Sequence, residues 1–375
     1  MFMTSAARLR TALVLACVLG LGAMGSAQAD LSVASLSVRS AIDAAVSKER
    51  HVYGGATPVP GLLVGVWDSA GNSYVRAYGA ADLATHRVLT PADHFRIGSN
   101  TKTFVISVLL QLVDEGKVHL DDPLSKFALG VPIPNAEHIT IREVCEMRSG
   151  LFEAYDTPEI DPLKVTGEMT FDPRTLVTWA VRQKPYFAPG TAYKYSNTNY
   201  LILGLVIESV TNVSVADQIR TRLLVPFRLM ETSYPVTQAM PVPWAHGYGL
   251  GKRGDWEDVS NTIPVSLMGS AGEMISDIVD IKCWVALYVT GKTNAAATQR
   301  ERLDCIPTGM GNLAFGLGIG CSAGWYGYTG GLPGYNTAGY YYPSSGVTII
   351  AWVTLQRTNP RRVSPMRFSA TSRPS

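Results

Sequence analysis

Charged residues are scarce in this chain: Asp, Glu, Lys and Arg make up 17% of its 375 residues and leave a formal net charge of +2. No basic stripe interleaved with aromatics occurs, and no zinc-finger spacing, so the common nucleic-acid modules are excluded. The six histidines (His51, His86, His94, His119, His138, His246) are scattered and none stands in an HExxH arrangement, which leaves a metal site without support. No cofactor is implied. Beyond the first thirty residues no apolar run is long enough to span a bilayer. Cysteine is limited to five positions, and none has a histidine beside it in a thiol-nucleophile pattern.

What is present describes an exported globular protein. The apolar fraction is 46%, enough for a large core. Residues 1–29 read as a signal peptide: Arg8 and Arg10 precede a short apolar run from Thr11 to Met24, and Ala27-Gln28-Ala29 forms an A-x-A cleavage site. The expected location is secreted or periplasmic, where disulfides persist. Cys145, Cys283, Cys305 and Cys321 would then remain. Four cysteines allow three full pairings; a Cys305–Cys321 bridge is favoured, with Cys145 as a buried thiol.

Periodicity predicts a helix over 37–49, then two strands, Gly61–Asp68 and Asn72–Tyr78, joined through Ser69-Ala70-Gly71. Residues 99–115 read as a helix apolar on nearly every side, closed by Gly116. Further helices are expected from Thr140 to Met147, from Asp172-Pro173 onward, over 198–210 and 214–224, and from Ser276-Asp277 to about Tyr288. Strands follow at Leu313–Ile319, Gly324–Tyr328, Tyr335–Tyr342 and Val347–Thr354. The implied fold class is α+β. An antiparallel sheet flanked by helices is built from 30–98 and 260–356, an all-helical domain spans 99–259, and 357–375 is a disordered polar tail.

Three short segments carry chemistry. Ser99-Asn100-Thr101-Lys102 places a hydroxyl and an amine three residues apart on one helical face. At a helix N-terminus, unpaired N–H groups favour negative charge developing on Ser99 Oγ, and an apolar setting favours the neutral form of an amine. Tyr195-Ser196-Asn197 supplies a phenol that can act as a base beside an ammonium, and an amide that can bind both Lys102 and a substrate carbonyl. Tyr328-Thr329-Gly330-Gly331 reads as an edge strand along which a substrate can lie, with the Gly331 N–H joining that of Ser99 as an oxyanion hole. Gly320-Cys321-Ser322-Ala323-Gly324 also matches a nucleophile elbow, but every histidine precedes Ser322, against the chain order of that fold.

Taken in order, Ser-x-x-Lys, Tyr-Ser-Asn and a Thr-Gly strand resemble the serine β-lactamase and DD-peptidase superfamily, and most of all its secreted DD-carboxypeptidase, class C β-lactamase and esterase branch. FRIGSNTKTF, LLQLVDEGKVHLDDPL, ITIREVCEMRSGL, APGTAYKYSNTNYLILG and YTGGLPGYNT extend the likeness over roughly 55–355. The resemblance implies a β-lactamase/transpeptidase-like fold with Ser99, Lys102 and Tyr195 as catalytic residues, and Asn197, Tyr328, Thr329, Gly330 and Gly331 as substrate-binding ones. It further implies acyl-enzyme hydrolysis of D-alanyl-D-alanine peptides, with peptidoglycan-type peptides, β-lactams or small esters as partners. The alternatives are an esterase or other peptidase on the same fold, or a weakly catalytic penicillin-binding or sensor protein. Three departures are visible. Tyr328 stands where the family carries Lys or His, Gly320 where carboxypeptidases tend to carry Arg, and Gln356–Ser375 lacks the amphipathic character of the usual closing helix. The sheet is therefore expected to be short of cover.

Overall fold

The computed structural model describes residues 33, 35–54, 58–161, 163–251 and 253–356. The expected signal peptide and the 357–375 tail lie outside them. The main sheet has nine strands, each antiparallel to its neighbours. From one edge they run Arg87–Val88, Ser73–Asp82, Gly61–Trp67, Val347–Val353, Tyr335–Tyr342, Trp325–Leu332, Ile319–Ser322, Leu313–Gly316 and Ile306–Met310. An early strand and a late one, Gly61–Trp67 and Val347–Val353, pair inside the sheet, where Gly65 faces Ile350.

The first hairpin forms where it is expected. Asp68 Oδ1 accepts from the Ala70 and Asn72 amides, and Gly71 takes φ +85°, so the local turn chemistry fixes the register. Its strand Gly61–Trp67 is apolar throughout because both faces are covered. Leu62, Val64 and Val66 join a cluster with Ile42 and Val46 of the Leu36–Gly54 helix, whereas Leu63 belongs to the main core. The Leu36–Gly54 helix thus supplies cover that the polar tail was expected to leave wanting.

The opposite face of the sheet carries the Ile278–Val289 helix. Against that helix lies Thr101–Asp114, buried on nearly all sides. Phe104 stacks on Trp284 with centroids 4.0 Å apart, and Trp284 Nε1 donates to Thr103 Oγ1. On its other side Thr101–Asp114 meets Thr198–Thr211, whose residues 198–207 are buried. No single helix among the described residues is long and apolar enough to cross a membrane.

Side-chain caps start several of the helices. Thr140 and Glu143 form a reciprocal capping box, Asp172 caps Pro173–Val181, and Asp277 caps Ile278–Val289. The helix after Thr140 stops at Cys145 rather than Met147, because Met147 turns left-handed at φ +60°. The single strand expected at Leu313–Ile319 is instead a hairpin, with Gly316 facing Ile319. Gly318 makes the turn at φ +64°, where a Cβ would lie 2.6 Å from the Tyr200 hydroxyl, so only glycine fits. The 99–259 segment is not helical throughout: Tyr248–Leu250 pairs with Trp256–Asp258 and, in parallel, with Leu355–Gln356. Cys305 and Cys321 are bridged, and Cys145 is a buried thiol.

Candidate active site

Ser99 sits on a single 3-10 turn, Gly98–Asn100, immediately ahead of the Thr101–Asp114 helix rather than as its first α-helical residue. The turn is locked to the sheet. Asn100 Nδ2 donates to Thr337 Oγ1 at 2.8 Å and to the Ile97 carbonyl at 3.2 Å, and Thr337 Oγ1 donates to that same carbonyl. Gly98 adopts φ +52°, and a Cβ there would lie 2.7 Å from the Gly331 nitrogen. Glycine is required on both counts. Ser99 is half-buried between buried Gly98 and Asn100.

Two polar side chains converge on that hydroxyl. Lys102 Nζ lies 3.0 Å from Ser99 Oγ and the Tyr195 hydroxyl 2.8 Å from it. Lys102 is fully buried at the seam between the sheet side and the helical layer. Its ammonium donors also reach Asn197 Oδ1 at 2.8 Å and the Ala271 carbonyl, and the Tyr195 and Tyr200 rings lie 5.1 and 5.5 Å away. Ser99 Oγ, Asn197 Oδ1 and the Ala271 carbonyl are thus each within hydrogen-bond reach of Nζ. Asn197 stands just ahead of Thr198–Thr211; that helix's packing against Thr101–Asp114 carries Tyr195 across 96 residues to the serine.

The third segment forms one strand, Trp325–Leu332. The Ile319–Ser322 strand pairs only with its first part, Trp325 to Gly327, so Thr329 and the glycines meet the serine turn instead. A Cβ on Gly330 would fall 1.9 Å from the Ile97 carbonyl oxygen, a measure of how closely strand and turn approach. Thr329 and Gly331 are half-buried, while Tyr328 and Gly330 face inward. The Tyr328 ring packs edge-on against Phe315, with centroids 5.8 Å apart. Burial, and then the phenols of Tyr195, Tyr200 and Tyr193, push its hydroxyl well above the ordinary tyrosine range. The position is thus occupied by a neutral group. Ser322, the decoy nucleophile, ends a strand and is followed by a turn at Ala323 and Gly324.

All eight residues singled out in the sequence therefore lie on the three elements that meet at Ser99. The residues that brace them were not foreseen: Asn100, Thr337, the Ala271 carbonyl and Glu153. The Glu153 carboxylate accepts from the Asn197 backbone amide and from Asn197 Nδ2, at 2.8 and 3.0 Å. Its burial raises its pKa, a rise that the Asn197 and Tyr155 amides partly offset. A charged residue inside the apolar-flanked segment SGLFEAY was the available signal, since a buried carboxylate needs partners.

An antiparallel sheet with a helical layer, and a serine, lysine and tyrosine meeting at their seam, define the β-lactamase/transpeptidase-like class. Residues 43–368 match the family model described as Beta-lactamase, and the chain belongs to that family of serine hydrolases. It is 30% identical over 270 residues to the D-aminopeptidase of Brucella anthropi, an alignment covering 70% of this chain and 48% of that protein. It is 30% identical over 184 residues to Protein flp of Staphylococcus aureus (strain NCTC 8325 / PS 47), covering 47% of this chain and 35% of that one. The chain thus spans between a third and a half of the length of these curated relatives. Among solved structures, a D-stereospecific amidohydrolase from Streptomyces sp. superposes with TM-score 0.73 at 28% identity, covering 82% of this chain and 92% of that one. A D-amino acid amidase from Ochrobactrum anthropi SV3 shares the fold at TM-score 0.73 and 23% identity, over 80% and 88% of the two chains.

Proposed function

We propose that this chain is an exported serine hydrolase that forms an acyl-enzyme on Ser99 and cleaves amide bonds of D-amino-acid derivatives, D-peptides and D-amino-acid amides. The carrying observation is one hydroxyl within hydrogen-bond reach of both Lys102 Nζ and the Tyr195 phenol. Ser99 Oγ attacks the carbonyl carbon while its proton passes to the Lys102–Tyr195 pair, which acts as one titrating unit and enters the step with one member deprotonated, as amine with phenol or ammonium with phenolate. The negative oxygen of the tetrahedral intermediate is held by the Ser99 and Gly331 N–H groups. Collapse breaks the C–N bond, and the leaving amine takes the proton from the pair. Water then attacks the ester carbonyl and gives a proton to the same pair; collapse breaks the C–Oγ bond, Ser99 Oγ takes that proton back, and the acid is released.

Tyr328 argues against strict DD-carboxypeptidase action. A free C-terminal carboxylate on the leaving group calls for a cation at this strand, and a buried neutral phenol offers none. D-Alanyl-D-alanine peptides remain the second reading, supported by the family and by the motifs shared with its carboxypeptidases. Hydrolysis of D-amino-acid amides is supported by the names of the relatives, a D-aminopeptidase and a D-stereospecific amidohydrolase. The test is intact-mass analysis after incubation with a fluorophosphonate, wild type beside Ser99→Ala, followed by kcat/KM on a D-amino-acid amide, a D-Ala-D-Ala peptide and a p-nitrophenyl ester. An adduct on the wild type alone, with the amide preferred over the dipeptide, is expected. A Ser99→Ala variant that labels as fast as wild type refutes the nucleophile; preference for the dipeptide refutes the substrate class.

A further inference from the structure

Among the described residues Glu153 shares no hydrogen bond with Ser99, yet its hydrogen bonds to Asn197 tie it to the site, and its charge acts as a smaller effect on Lys102. Its backbone lies just ahead of the short Ala154–Asp156 turn, where Oε1 accepts from the Tyr155 amide at 3.1 Å. Its Oε2 accepts from both the backbone and the side-chain amide of Asn197. Both carboxylate oxygens are thus held, and Glu153 is buried.

An asparagine side chain has two ends of nearly equal size and opposite hydrogen-bond character. At Asn197 the two ends meet different neighbours. Nδ2 meets Glu153, and Oδ1 meets Lys102 Nζ at 2.8 Å. Were the amide rotated, N–H groups would face the lysine donors and the carbonyl would face the carboxylate, so both contacts would become repulsive. Lys102 would lose the Asn197 acceptor and with it the position that sets Nζ 3.0 Å from Ser99 Oγ. We propose that Glu153 is a positioning residue that fixes the amide orientation of Asn197 and, through it, holds Lys102 on the nucleophile. The carboxylate is suited to this because it only accepts, whereas a neutral amide in its place would put a donor against Asn197. The inference rests on the acyl-enzyme reading above.

The experiment is the rate of fluorophosphonate labelling of Ser99, read by intact mass, together with kcat and KM on a D-amino-acid p-nitroanilide. The proteins are wild type, Glu153→Gln, Glu153→Asp, Asn197→Ala and the double variant Glu153→Gln/Asn197→Ala, each checked for folding by thermal unfolding. Gln keeps the shape and loses the acceptor-only character; Asp keeps the charge and withdraws the oxygens by one bond. Each folded Glu153 variant should label about 10- to 100-fold more slowly, with kcat falling alongside and KM within about threefold of wild type. In the Asn197→Ala background, adding Glu153→Gln should cost less than about threefold more, because a residue acting through Asn197 has nothing left to act on. Any folded Glu153 variant that labels within threefold of wild type overturns the assignment, as does a loss confined to KM, or single effects that multiply in the double variant. A wild type that takes no label overturns the hydrolase reading and this one with it, and so differs from a labelled wild type with indifferent Glu153 variants.

Discussion

Gly330→Ala tests the seam between strand and nucleophile turn most sharply. An alanine Cβ would stand 1.9 Å from the Ile97 carbonyl oxygen and 2.4 Å from Thr337 Oγ1. Ordinary van der Waals contact begins near 3.4 Å, so strand and turn must part by the difference, about 1.5 Å. The turn cannot yield freely, because the Ile97 carbonyl already accepts from Asn100 Nδ2 and Thr337 Oγ1. The displacement therefore falls largely on Gly330 and Gly331, and the Gly331 N–H leaves the oxyanion position. Losing one such donor lowers kcat by roughly 10²- to 10³-fold, while overpacking costs about 1–3 kcal/mol of stability. Steady-state kinetics on a D-amino-acid amide, with fluorophosphonate labelling and thermal unfolding in parallel, reads both numbers. Gly320→Ala is the control: its added methyl meets the Gly327 carbonyl at 3.3 Å on the neighbouring strand, and its activity should stay within about fivefold. A folded Gly330→Ala protein that also stays within fivefold would refute the claim that this close approach builds the oxyanion site.

Other outcomes follow from the same structure. Lys102→Ala should lower the Ser99 labelling rate by at least about 10³-fold, the scale on which members of a catalytic unit act; a loss under tenfold would remove Lys102 from the proton-handling pair. Tyr328→Lys should move the kcat/KM ratio of D-Ala-D-Ala peptide to D-amino-acid amide upward by about tenfold, which corresponds to about 1.4 kcal/mol; an unchanged ratio would show that the third segment does not read the leaving group. Burial holds the Glu273 carboxyl well above its ordinary value of 4.5, with Arg96 only partly offsetting it. Its folded-state pKa is therefore raised: the cost of ionising it is absent below the unfolded pKa, grows as pH climbs toward the folded value, and persists above it. Glu273→Gln should accordingly raise Tm at pH 8 and leave it unchanged or lower at pH 4, and a pH-independent difference would contradict the sign. Phe104→Ala removes a ring stacked on Trp284 and should cost about 3–5 kcal/mol in denaturant unfolding; less than about 1 kcal/mol would mean that the helix behind the serine is not packed as described.

Local chemistry decided a large part of this protein before any packing. The Asp68–Asn72 turn, the Thr140 capping box, Asp172-Pro173 and the Asp277 cap all use side chains within four residues of the backbone groups they satisfy, so each can be read from a short window. The Ser99–Lys102 pair is local in the same sense, since one helical turn brings the two side chains together. Gly318 marks where such reading failed: the apolar run from Leu313 to Ile319 looks like one strand, and its fold-back serves a contact with Tyr200, more than a hundred residues away.

Only the tertiary structure brought Tyr195 to Ser99, set Gly330 against the Ile97 carbonyl, and gave Lys102 the Ala271 carbonyl as a partner. Every residue has a carbonyl, so that acceptor leaves no mark in the sequence. Glu153 was equally hidden, because its function depends on which end of one amide it faces across 44 residues. The sequence by itself determined which groups could do chemistry and which turns would form, for these rest on side-chain identity and short-range hydrogen bonds. Distances between distant groups depend on how the buried faces of the sheet and helices pack, and that is a property of the whole core.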